Sequence, residues 1–310
     1  MSRTVKRFLH VTVLVALLAG CNRVQLVYSQ LDWLIPYYLG TYVELSEQQR
    51  PLFDKRVAAF LKWHCGTQLT GYADLLRTAD ADFQAGTMTR ARVEAYGSRL
   101  ESFWLEIMRE ASPAMAEMLL SASDAQIDDL FAVFKERNEA WLAAFEKETD
   151  EERRKVYRER VTEELERWFG PLGKAQQRAV LEWSERFQTP GLEGLRTRQR
   201  WQGRLRELVD HRDDQAAFYK GIDELLTNPG ALRSRAIRDL YANNRRTIIE
   251  LLYEIGNHLS EEQRRHLANE TASMAGDLEE LACAAEKSAE AAREIRGSQP
   301  PTAPQSVPNP

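Results

Sequence analysis

The sequence predicts an all-α protein, an elongated bundle of six to nine helices, on three observations. Apolar residues recur at three- and four-residue spacing, as in Phe53, Val57, Phe60 and then His64, or Ile248, Leu251, Leu252 and Ile255. That period lays an apolar stripe along one helix face. Strict two-residue alternation, the mark of a half-buried strand, is absent over any useful length. Glycine and proline are sparse and fall where helices should stop: Gly86, Pro113, Gly170-Pro171, Pro190-Gly191 and Asn228-Pro229-Gly230.

Residues 1–20 read as a bacterial lipoprotein signal. Arg3, Lys6 and Arg7 precede an apolar run from Val11 to Leu18, and Leu18-Ala19-Gly20-Cys21 matches a lipobox. The run is too short to span a bilayer and ends at a small-residue cleavage site, so it is a signal and not an anchor. Cys21 is the expected site of acylation and the new N-terminus. Several acyl chains on one cysteine hold a protein firmly where a single chain would not. Asn22 follows Cys21; an Asp there would resemble an inner-membrane retention signal, and Asn fits export to the outer membrane.

Residues 21–45 form a lipidated segment with an aromatic helix, Tyr28 to Tyr38, in which Pro36 should end or kink the helix. Trp33, Tyr37 and Tyr38 could sit at a membrane interface, where amphipathic rings are at home. Docking on the bundle is favoured, because a bare tether would not carry so many apolar groups; Trp33, Leu34 and Tyr38 are then expected to be buried.

Residues 46–296 form the helical domain. Three helix starts share the form Ser-x-x-Gln: Ser46 to Gln49, Ser123 to Gln126 and Ser260 to Gln263. In such a capping box the serine accepts from the backbone N–H three residues on, and the glutamine reaches back to the cap N–H. The intervals between the caps, 77 and 137 residues, are unequal and give no repeat period. Asp150 to Arg167 is dense in charge of both signs and reads as a solvated helix face. Residues 297–310 carry five prolines, cannot build a core and are expected to be disordered.

Three cysteines occur: Cys21, Cys65 and Cys283. Acylation uses Cys21, and two thiols left in an oxidising compartment suggest a Cys65–Cys283 disulfide, with two separate buried thiols as the other reading. The bridge would tie the second helix to the last and contribute roughly 5 kcal/mol by loop entropy.

The leader's three basic residues take the net charge from −5 to −8 when it is removed. A mildly acidic chain has no general attraction to nucleic acid or anionic lipid. Arg196, Arg198, Arg200, Arg204 and Arg206 flank Trp201 and could grip phosphates or carboxylates such as those of lipopolysaccharide or acidic proteins. The plainer reading is an exposed face paired to nearby glutamates. His64, His211, His258 and His266 are scattered, without the spacing of a metal site. No phosphate-cradling loop or nucleophile signature appears, so no catalytic residue, metal or cofactor is assigned.

The lipobox, then Leu31-Asp32-Trp33-Leu34-Ile35-Pro36-Tyr37-Tyr38-Leu39, then Leu45-Ser46-Glu47-Gln48-Gln49 and Trp63-His64 with Tyr72, resemble the DUF6279-type family of uncharacterised helical lipoproteins of Gram-negative bacteria. That resemblance brings no activity or ligand. Leu45-Ser46-x-x-Gln49 and Leu259-Ser260-x-x-Gln263 are similar to the Leu-Thr-x-x-Gln motif of Spy and CpxP type periplasmic chaperones, with Ser for Thr. The expected function is non-enzymatic: an outer-membrane lipoprotein facing the periplasm, attached to the membrane through Cys21, that binds envelope proteins or lipopolysaccharide in a chaperone-like or adaptor role. The alternative is an enzyme acting on peptidoglycan or another envelope polymer through paired carboxylates in a cleft.

Overall fold

Backbone caps decide where the helices begin. In the structure, a computed structural model that describes Tyr28 and residues 30–297, with side chains through Ala282, eleven α-helices and one 3-10 turn follow in order, and no strand occurs among the described residues. They are α1 (Leu31–Gly40), α2 (Gln49–Thr67), α3 (Leu69–Gln84), α4 (Arg90–Ser121), α5 (Asp124–Phe145) and α6 (Asp150–Phe169). Then come α7 (Lys174–Arg186), α8 (Gly191–Asp210), α9 (Gln215–Thr227), the turn Pro229–Leu232, α10 (Arg235–Asn257) and α11 (Glu261–Gly297). The signal, Cys21 and the proline-rich tail after Gly297 lie outside the described residues.

The all-α class stands, and the helices exceed six to nine because some breaks carry no sequence punctuation. Gln68 alone separates α2 from α3, with neither glycine nor proline beside it. Pro113, by contrast, sits inside the 32-residue α4 without ending it. It lacks an N–H, so the Arg109 carbonyl four residues back has no helical donor.

All three Ser-x-x-Gln boxes form. Ser123 Oγ accepts from the Gln126 N–H at 3.2 Å while the Ser123 N–H donates to Gln126 Oε1 at 2.9 Å. The same pair of bonds joins Ser260 to Gln263 and Ser46 to Gln49, although α2 becomes regular only from Gln49. Thr149 and Glu152 add a fourth box at α6. Gly173 at α7 offers only the glutamine half, its N–H donating to Gln176 Oε1 at 2.9 Å.

The glutamines do more than cap. Gln49 and Gln126 exchange side-chain amide bonds at 3.1 and 2.8 Å, and Gln176 and Gln263 do the same at 3.1 and 2.9 Å. Each amide also donates to a backbone carbonyl at a helix end or in a loop: Ser121, Glu44, His258 or Pro171. Three of the four are buried, so their full satisfaction removes the penalty a lone buried amide would carry. The α2 start is thereby stitched to the α5 start, and the α7 start to the α11 start.

The core divides into three clusters. Leu165, Phe169, Val180, Trp183, Leu251, Ile255 and Leu267 join α6, α7, α10 and α11. Ala116, Ile127, Leu205, Val209, Phe218 and Ile222 join α4, α5, α8 and α9. Cys65, Leu69, Ala73, Ala275 and Leu278 join α2, α3 and α11. Gly221 lets α8 close on α9, since a Cβ there would collide with the Leu208 side chain. Gly170 ends α6 at a φ of +74°, a conformation glycine adopts without steric cost. Among the described residues no helix is long and apolar enough to cross a membrane.

Candidate functional site

The stripe Phe53, Val57, Phe60 on α2 does not close fully against its neighbours. It faces α4 and α5 across an apolar groove of about 640 Å³, within the range typical of small-molecule sites. Phe53, Ile127, Leu205, Ile222 and Leu225 form the buried floor. Val57, Phe60, Met118, Leu119, Leu130 and Phe134 form half-buried walls. Met115, 41% exposed, stands at the rim beside Pro113. Two methionines in such a wall suit it to ligands of varied shape, because the thioether side chain is unbranched and adaptable.

Polar groups are confined to the edge. Arg56 donates to Glu117 at 2.6 Å, which raises the Arg56 pKa and holds the Glu117 carboxyl below the usual carboxylate range. Arg109 and Glu110 are exposed on the same side. The Gln49–Gln126 pair lines one end. The groove therefore offers a large apolar interior and a narrow polar margin, an arrangement suited to aliphatic or aromatic groups.

Helix α1 supplies part of this wall. Ile35 and Leu39, one turn apart, line the groove. Trp33 and Tyr37, one turn apart on the opposite side, stack on each other with centroids 5.3 Å apart, as the 100° step per residue requires. Trp33, Tyr37 and Tyr38 are 60%, 56% and 60% exposed. The expectation that Trp33 and Tyr38 are buried is thus corrected, while Leu34 is half-buried. The helix does dock, but through Ile35 and Leu39, so its aromatics are left outside. Upstream, Tyr28 packs against α2, its hydroxyl 3.2 Å from His64 Nδ1 and donating to the Leu61 carbonyl at 3.3 Å. Tyr72 takes the other ring nitrogen at 3.1 Å. Burial lowers the His64 pKa and raises those of Tyr28 and Tyr72.

The arginine stripe on α8 disperses. Arg196 and Arg200 both reach Glu193 at 3.2 Å, Arg204 reaches Glu207, and Arg206 bridges Asp128 and Asp210 at 2.9 Å each. Arg198 lies over the Trp141 ring. Trp201 faces the other way: its Nε1–H donates to the Leu225 carbonyl at 3.2 Å and its ring lines the groove. Trp201 and the arginines therefore do not share a surface.

Cys65 on α2 faces α11, its Sγ 3.0 Å from the Leu281 carbonyl. Cys283 follows two residues later on the same helix, and its side chain lies outside the described residues. A second cleft, polar and of about 480 Å³, is lined by Glu185, Arg186, Gln188, Asn243, Arg246, Thr247 and Glu250. Glu250 is held there by Arg90 at 2.6 and 2.7 Å. Asp277, the described carboxyl whose pKa is raised, by burial and by Glu280, lines neither cavity. No group of three or more His, Cys, Asp or Glu is placed to hold a metal ion among the described residues.

A family of unknown function, DUF6279, matches residues 41–238. The chain belongs to that family. The matched stretch takes in every groove residue except Ile35 and Leu39. It begins one residue after α1, so the Asp32-Trp33-Leu34-Ile35-Pro36 segment lies outside it. No curated protein and no solved structure matches the chain.

The groove was not read from sequence, although Phe53, Val57, Phe60 and Ile127, Leu130, Phe134 stood out as helical stripes. The missed signal is an excess: with Met115, Met118 and the α1 apolar residues, these helices carry more apolar surface than their partners cover.

Proposed function

We propose that this DUF6279 member is a non-enzymatic binder of the bacterial envelope, acylated at Cys21 and held at the outer membrane on its periplasmic side. Its bundle receives apolar portions of envelope components in the groove between α2, α4 and α5, in a chaperone-like or adaptor role. The observation that carries this reading is the groove: a large apolar cavity with charged groups only at its rim. A site for covalent chemistry would need acids, bases or nucleophiles converging on one point, and the groove interior holds aliphatic and aromatic side chains instead. The Cys65–Cys283 disulfide belongs to the same reading, because a periplasmic domain keeps paired thiols oxidised.

The test is binding of an apolar fluorophore such as N-phenyl-1-naphthylamine. The parent chain should enhance its emission, and Ala114→Phe, which places a ring in the groove, should weaken binding about tenfold with an unchanged circular dichroism spectrum. Equal binding by parent and variant would remove the groove from the mechanism. Cys21→Ser should separately abolish fatty-acid labelling.

A further inference from the structure

The two sides of α1 face different surroundings. Ile35 and Leu39 wall the groove, while Trp33, Tyr37 and Tyr38 project outward at 56–60% exposure. Three large aromatics on a ten-residue helix leave a sizeable apolar area in water. Trp and Tyr share one property that Phe and Leu lack: an apolar ring with a polar tip, which suits the boundary between hydrocarbon and water. Asp32 is the one charged residue in α1, so electrostatic attraction to anionic headgroups is not the driving force.

We propose that the outer face of α1 rests on a lipid bilayer, with Trp33 and Tyr37 at the interface, the groove wall behind them and the exposed Tyr38 on the flank between the two. The placement of Cys21 chooses the bilayer over other occupants. Cys21 lies ten residues before Leu31, a span of at most about 35 Å even when fully extended, so a lipid there keeps α1 near the surface. Tyr28, bonded to Leu61 and beside His64 on α2, fixes the chain seven residues after Cys21. The inference rests on the anchored reading above for proximity, and adds orientation: α1 lies between the bilayer and the groove, which sets the groove one helix diameter, roughly 10 Å, from the membrane surface.

The test tethers the full mature chain without using its own lipid. A hexahistidine tag before Asn22, with Cys21 omitted, holds the protein on phosphatidylcholine vesicles that contain a nickel-chelating lipid. Phosphatidylcholine brominated near the headgroup then quenches any tryptophan within contact. The tethered parent should be quenched, and Trp33→Phe should reduce the quenched fraction at least about twofold. Quenching should change little when salt is raised or anionic lipid is added. Equal quenching in parent and Trp33→Phe, or none in either, overturns the proposal. Because the tag replaces acylation, those outcomes leave the Cys21 assignment to the labelling experiment and the groove to the fluorophore.

Discussion

At the scale of single residues, side chains act through what their neighbours leave them. His64 is held between two tyrosine hydroxyls, and burial lowers its pKa. The folded state therefore binds fewer protons than the unfolded state once the pH falls through the ordinary histidine value of about 6.5, and stability declines below that point. The denaturation midpoint should be lower at pH 5.5 than at pH 7.5, and His64→Gln should shrink the difference; an identical pH dependence in both chains would place the titration elsewhere. Ser123 carries a full capping box, and Ser123→Ala should cost about 0.5–2 kcal/mol in urea unfolding. Both predictions started from residues visible in the sequence. His64 stood at a position of the helical stripe, but its tyrosine partners 36 residues back and 8 residues on were not legible there.

At the scale of elements, the capping glutamines tie helix starts together in pairs. Gln176 and Gln263 are both buried and bonded to each other. Gln263→Ala strands the Gln176 amide and should cost about 1–3 kcal/mol. In a double-mutant cycle the pair should show a coupling of about 0.5–3 kcal/mol; simple additivity would mean that the two boxes act alone. Helix α1 supplies a second test. A chain beginning at Gly40 loses Ile35 and Leu39 from the groove and should melt at a lower temperature and bind the apolar fluorophore more weakly than one beginning at Asn22. Equal values would show that α1 neither stabilises the bundle nor completes the site.

At the scale of the whole molecule, the first and third buried clusters share the long helix α11, while the second gathers on α4, α5, α8 and α9. The groove forms where α2 approaches the second cluster without sealing it. Cys65 packs against α11 beside the Leu281 carbonyl, which puts the second helix and the last helix in one cluster. Thiol titration of the denatured, unreduced protein should find no free sulfhydryl from this pair, and two free groups would end the disulfide proposal.

The helical class and the capping boxes at Ser46, Ser123 and Ser260 could be read from local order, because caps and periodicity depend on residues within one or two turns. The tertiary structure alone decided three things: that the capping glutamines pair across 77 and 87 residues, that Trp201 turns inward while its flanking arginines disperse to separate carboxylates, and that the α1 aromatics face outward. The reason is that periodicity reports which side of a helix is apolar, whereas burial depends on how much partner surface arrives to cover it. Between α2, α4 and α5 less arrives than the stripes could use, and that shortfall is the groove.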